Sequence, residues 1–181
     1  MKNVLYILRI VGTLFLITAL VAAGLAGVNA ITQPRIAEYK AEKMEKAMKE
    51  VLPDGKDLRE VTFTDETGMV NAVYACDAGF VVEVAPAGFG GTISMMVGID
   101  TEGKVKGVSI VSQTETAGLG AVAAATTSAG KAFRDQFIGL SGMLAVDKDG
   151  GQVDSITGAT ITTRAITNGV NAALSCVGNL G

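Results

Sequence analysis

The chain has 181 residues, 49% of them apolar, with a formal net charge of −3 and a sequence pI near 5.0, so it lacks the basic footprint of a nucleic-acid-binding protein. Histidine is absent, which excludes His-based acid–base catalysis, Ser-His and Cys-His nucleophiles, and histidine ligation of haem or zinc. Cys76 and Cys176 alone cannot supply an iron–sulfur cluster or a zinc site, so any redox chemistry falls to an organic cofactor, and no metal is expected.

Lys2 and Arg9 precede a run from Ile10 to Pro34 that holds no charged residue. As a helix, its 25 residues would extend about 37 Å at 1.5 Å per residue, enough for a bilayer core of about 30 Å. Val28-Asn29-Ala30 has the small-x-small form of a signal-peptidase site, but the apolar run is longer than a signal sequence requires, and a retained anchor is expected. The basic residues before the span put the N-terminus in the cytoplasm and the remainder outside. Residues 1–33 are therefore expected to form the cytoplasmic tip and transmembrane anchor, and residues 34–57 a connecting amphipathic helix. That helix would carry Pro34 in its first turn and end at Leu52, before Pro53 and the Asp54-Gly55 turn. Its apolar face would be Ala37, Ala41, Met44, Met48 and Val51, and Glu45 precedes Lys49 at the favourable i,i+4 spacing.

From residue 58 the hydrophobic period shortens towards 2. Strands are expected at Glu60–Thr64, Val70–Cys76, Phe80–Pro86, Thr92–Ile99 and Val105–Ser112, separated by Gly-containing turns. Such close spacing means hairpins and an antiparallel sheet, hence an α+β domain over residues 58–181. Phe89-Gly90-Gly91 lies in one of these turns. The polar loop Ser112–Gly120 follows, with Glu115 flanked by Thr114 and Thr116; on its chemistry alone this reads equally as a capping box for the next helix or as a binding loop. Lys131–Phe137 is expected to be a short helix with Phe133 and Phe137 on its core face, and Met143–Val153 two strands around an Asp147–Gly151 turn. A disulfide between Cys76 and Cys176 is allowed outside the cytoplasm, but two free buried thiols are expected.

The last segment is the most specific. Asp154-Ser155-Ile156-Thr157-Gly158-Ala159-Thr160 runs into a pattern with Ile161, Ala165, Ile166, Ala173, Leu174 and Val177 on one face, the opening of an amphipathic helix. Its hydroxyls therefore sit at a helix N-terminus, where backbone N–H groups lack acceptors and the dipole favours an anion such as phosphate. An ordinary capped helix start accounts for Thr and Gly at this place, but an Asp followed after two residues by Thr-Gly-Ala-Thr should arise by chance only about once in a thousand chains of this length.

This segment resembles the flavinylation motif of the membrane-anchored FMN-binding subunits of two related complexes. One is the G subunit of the Rnf electron-transport complex, an ion-translocating ferredoxin:NAD oxidoreductase, and the other is the C subunit of the sodium-translocating NADH:quinone oxidoreductase. The resemblance implies that Thr160 carries FMN through a phosphoester and that Asp154, Thr157, Gly158 and Ala159 are read by a flavin transferase using FAD as FMN donor. Thr114–Gly120 resembles the second signature of these families, with Ala117 where they more often have Pro. By that resemblance Glu115, Thr116, Gly118, Leu119 and Gly120 approach the flavin ring, and Phe89, Gly90 and Gly91 belong to its neighbourhood. The implied protein is an electron carrier without a catalytic residue of its own, anchored in the cell membrane by a single pass and assembled with other membrane subunits. The short chain and the form of the second signature favour the Rnf-type protein. Its quinone-reductase counterpart, and a flavin-free anchored module that captures a phosphate-bearing ligand, are the alternatives.

Overall fold

The computed structural model describes residues Lys2–Leu180, with side chains from Tyr6 onwards; Met1 and Gly181, which the expected domain limits include, lie outside the described residues. The chain forms two compact units, Met1–Glu42 and Lys43–Gly181. The described residues of the first are all helical, part of helix α1 (Lys2–Val51). Its apolar side chains from Leu14 to Leu25 are exposed, and the helix is long and apolar enough to cross a membrane. A surface of this kind is stable only if lipid or protein covers it.

No second helix starts at Pro34. α1 continues through it, leaving the Ala30 carbonyl, four residues earlier, without its usual helical donor. Good helix formers after Pro34, from Ala37 to Lys49, help to outweigh that lost bond.

The second unit is built on a five-stranded antiparallel meander of β1 (Arg59–Val61), β2 (Val70–Cys76), β3 (Gly79–Val84), β4 (Ser94–Asp100) and β5 (Val105–Ser112), in sequential spatial order. α2 (Ser128–Asp135) and α3 (Thr160–Gly178) complete it. An α+β fold with an antiparallel sheet is thus observed, as the pattern predicts, although β1 is shorter than expected. Both faces of the sheet are buried, because alternate residues feed two cores. Val82, Val84, Met95, Val97 and Ile99 pack under Ile166, Val170, Ala173 and Val177 of α3. Val81 and Met96 face the other way and meet Ala47, Val51 and Leu52. Phe133 and Phe137 meet edge to face at 5.7 Å and 87° and join the α3 core. Cys76 and Cys176 are free thiols in separate clusters.

The Met143–Val153 segment does not form two strands. A single parallel bridge joins Val146 to Val153 around the 3-10 turn Asp147–Asp149, closed by Gly150 at φ 80°. Gly151 is pressed so closely on Ala145 that a Cβ there would lie 2.0 Å from its carbonyl oxygen, which leaves no width for a ladder. α2 begins earlier than its apolar pattern suggests because Thr127 caps it, accepting the Gly130 N–H through its side chain.

Two glycines decide how the end of α1 meets the sheet. Gly98 of β4 and Gly107 of β5 are register partners, and a Cβ on Gly98 would stand 2.2 Å from the Val51 carbonyl oxygen, one on Gly107 3.0 Å from the Val51 Cα. The pair forms a bare patch that receives helix backbone, which no rotamer change can move aside. Gly98→Ala should therefore destabilise the detergent-solubilised protein by about 1–3 kcal/mol, the usual cost of overpacking. Gly178→Ala, at a helical position with open space around it, should be neutral or slightly stabilising. Thermal melts of the two variants check this, and equal melting temperatures would contradict it.

Candidate functional site

α3 starts at Thr160, with Ala159 in the cap position (φ −133°, ψ 39°), no side chain capping it and no acidic residue in its first turn. Its entry is set by a turn in which the Ala159 N–H donates to the Ile156 carbonyl at 2.9 Å and Gly158 takes φ 75°, a backbone that glycine adopts without strain. The first N–H groups of the helix therefore have no side-chain cap, a place that favours an anion.

Side chains hold this entry segment by its backbone. Gln136 accepts the Asp154 N–H at 2.8 Å, and the Asp147 carboxylate takes both the Ser155 N–H, at 3.1 Å, and the Ser155 hydroxyl. The Thr163 hydroxyl accepts the Ile156 N–H at 3.1 Å and donates to the Ala159 carbonyl at 3.0 Å. Asp154 and Thr157 are exposed, and among the described residues their side chains form no hydrogen bond.

Across from the helix start lies the loop Gln113–Gly120. Glu115 is 8% exposed; one of its carboxylate oxygens accepts the Gly90 N–H at 2.8 Å and the other the Thr162 hydroxyl. Thr114 donates to the Gly90 carbonyl at 3.0 Å, so the Gly88–Gly91 turn, the loop and α3 are tied at one point. The approach is close enough to demand glycine. A Cβ on Gly90 would lie 2.3 Å from the Thr114 carbonyl oxygen, and one on Gly120 would lie 2.5 Å from the Thr162 hydroxyl and 2.6 Å from the Glu115 carboxylate. Glu115 does not cap the 3-10 turn Gly120–Ala124, whose start has no side-chain cap. Arg134 instead reaches that turn from α2, donating to the Ala123 and Ala125 carbonyls at 2.6 and 3.0 Å.

Between these parts is a cleft of about 390 Å³ lined by Phe89, Glu115, Thr116, Leu119, Gly120, Gly158, Ala159, Thr160, Ile161 and Thr162, within the usual size of small-molecule sites, about 300–1,000 Å³. Phe89, Leu119 and Ile161 are large apolar side chains left exposed at its walls. Eight residues singled out in the sequence meet here. Gly90 and Gly91 are exposed in the turn beside the cleft, Gly118 at φ 76° shapes the loop turn, and Asp154 and Thr157 do not line it. The sequence reading missed Ile161 and Thr162 as site residues: helical periodicity assigned Ile161 to packing, and Thr162, two positions after Thr160, was given no role. It also took Asp147–Gly151 for a plain turn, whereas Asp147 braces the entry segment.

The hydroxyls at the start of α3 are not equivalent. Thr162 bonds Glu115, Thr163 bonds Ala159, and Thr167 bonds the Thr163 carbonyl at 3.0 Å. The half-buried Thr160 hydroxyl has no partner among the described residues, and it alone stands both in the cleft and at the first helical position. An apolar-walled cleft beside a helix N-terminus suits a flat ring carrying a phosphate, and the fit to FMN is good on chemistry: apolar surface for the ring, backbone donors for the anion, a nucleophilic oxygen at the junction.

Arg164 clamps the helix from its outer side, its guanidinium donating to Asp149 at 2.7 and 2.8 Å. That bond holds the Asp149 carboxyl below its ordinary value, and the Ser155 hydrogen bond does the same for Asp147. A carboxyl lowered on folding adds stability above its unfolded-state value and loses it as pH falls through the folded-state one. Asp149→Asn should therefore lower the melting temperature at neutral pH and flatten its fall in the acid range. Melts from neutral pH to below the carboxylate range check this; a parallel pH profile would contradict it.

Residues 88–175, which carry every part of this cleft, match the family described as FMN-binding domain. The whole chain is similar to curated proteins. It is 34% identical to the G subunit of the ion-translocating oxidoreductase complex of Methanosarcina acetivorans, over 94% of each chain. It is 31% identical to the G subunit of the Na(+)-translocating ferredoxin:NAD(+) oxidoreductase complex of Acetobacterium woodii, over 92% of this chain and 89% of that one. The G subunit of the ion-translocating oxidoreductase complex of Stutzerimonas stutzeri is 34% identical over 90% of this chain and 77% of its own. With a cleft that suits FMN and kinship along nearly its entire length, the chain belongs to the family of G subunits of ion-translocating oxidoreductase complexes.

Proposed function

We propose that this protein is the flavin-bearing electron carrier of a membrane-bound, ion-translocating ferredoxin:NAD oxidoreductase, and that Thr160 holds its FMN as a phosphoester. The observation that carries the attachment is the Thr160 hydroxyl at the first position of α3, which has no partner among the described residues and lines a largely apolar cleft. Attachment needs a donor that already contains activated FMN, which FAD supplies. The Thr160 oxygen forms a bond to the FMN phosphorus, the pyrophosphate bond breaks with AMP as leaving group, and the hydroxyl proton passes to a base of the flavin transferase. Asp154 and Thr157, exposed on either side of the clamped backbone, are the side chains such a transferase would read.

Bound FMN supplies the electron chemistry that no lining side chain can. The chain contributes the rest. Phe89, Leu119 and Ile161 would offer apolar surface to the ring, Glu115, Thr116 and Gly120 would line the cleft beside it, and the first N–H groups of α3 would hold the phosphate. The partners are the other membrane subunits of the complex and, during maturation, the transferase. Residues 1–33 anchor the chain in the bilayer with the N-terminus cytoplasmic, residues 34–57 link, and residues 58–181 carry FMN outside the cytoplasm.

Thr160→Ala, produced with the transferase, should reach the membrane in normal yield, since losing a helix-start hydroxyl costs at most about 0.5–2 kcal/mol, yet carry no FMN. Intact-mass spectrometry and in-gel fluorescence after denaturation read this, and an FMN increment persisting in the variant would refute the attachment. For topology, protease added to sealed right-side-out membranes should digest the flavin domain; a protected domain would reverse the orientation.

A further inference from the structure

We propose that Glu115 lowers the reduction potential of the flavin from inside the cleft wall, and that Thr162 is the positioning residue that holds its carboxylate there. The proposal rests on the reading of this cleft as the FMN site. Three observations support it. Glu115 is more than nine-tenths buried yet lines the cleft, so whatever charge accumulates there faces the carboxylate through little water. Among the described residues no Lys or Arg pairs with it, and its partners are two neutral donors, the Gly90 N–H and the Thr162 hydroxyl. Gly88, Gly90 and Gly120 leave it no lateral freedom, since a Cβ on Gly88 would lie 2.5 Å and one on Gly120 2.6 Å from its oxygens.

With no counter-cation, the confined carboxylate both ties the loop to α3 and leaves its negative field on the cleft. Accepting electrons adds negative charge to the cleft, which a fixed anion opposes, so the carrier becomes a stronger reductant. Thr162 projects from the same helical turn that starts with Thr160, so the attachment point and the charge are registered to each other by one rigid element.

The test uses the full chain in detergent, loaded with FMN by the transferase and verified by intact mass. Glu115→Gln keeps both hydrogen bonds, because its amide oxygen accepts from Gly90 and its NH2 donates to the Thr162 oxygen, but removes the charge. It should raise the midpoint by about 30 mV, the equivalent of a tenfold change in a two-electron equilibrium, with hydrogen exchange across Gly88–Gly91 unchanged. Thr162→Val keeps the charge and frees the carboxylate; exchange in that turn should quicken and the midpoint rise towards that of Glu115→Gln, with Thr162→Ser restoring both. A wild-type midpoint in Glu115→Gln overturns the proposal, as does wild-type exchange and midpoint in Thr162→Val. A shifted midpoint in Glu115→Gln together with faster exchange overturns charge as the cause. Wild-type protein that takes up no flavin overturns the underlying reading, and the proposal with it.

Discussion

A buried carboxylate between a backbone N–H and a threonine hydroxyl is the junction on which the cleft depends. Glu115 comes from the loop after β5, Gly90 from the turn between β3 and β4, and Thr162 from the first turn of α3. The three segments lie far apart in the chain, Gly90 and Glu115 by 25 positions and Glu115 and Thr162 by 47. One charge-assisted network joins all three, and hydrogen bonds to a charged group are stronger than those between neutral ones. The cost is desolvation of the carboxylate, which the two donors offset only if both stay in place. Glycine at 88, 90 and 120 is what lets them stay.

The sheet contributes rigidity. The meander delivers the β3–β4 turn and the end of β5 to the same end of the domain, and α3 crosses the sheet with Gly169 set against Met95 and Pro86, where a Cβ would lie 2.7 and 2.9 Å from their side chains. That close approach fixes where the helix begins. Asn171 then bonds the Leu144 backbone in both directions at 2.8 Å, as Gln136 does for Asp154, so side-chain amides join a few backbone bonds, to Val105 and across the Val146–Val153 bridge, in holding the long segment between α2 and α3.

What was legible in the sequence follows from which signals are local. The strands over Val70–Ser112 are short runs rich in β-branched residues between Gly-containing turns, and that suffices to place a hairpin series. The start of α3 was legible because Thr-Gly-Ala-Thr precedes a 3.6-residue period. Pro34 misled because its local cost is real but smaller than the propensity of a long helix around it. Val146 and Val153 look like strand residues in isolation, whereas Gly151 against Ala145 permits only a single bridge. Thr162 was not legible as a site residue because its partner, Glu115, stands 47 positions away, and no periodicity reports a bond between a loop and a helix. The dual face of Glu115, cap or cleft, is resolved only by where Gly90 stands in space.

The central claim is the bond between one hydroxyl and one phosphate, and peptide mapping reads it most directly. Trypsin cleaves after Lys148 and Arg164, releasing a single peptide, Asp149–Arg164, that contains Ser155, Thr157, Thr160, Thr162 and Thr163. In protein matured with the transferase, fragmentation of this peptide should place the whole FMN mass between Ala159 and Ile161. FMN on Thr157 or Thr162, or an unmodified peptide from a yellow protein, would contradict the account.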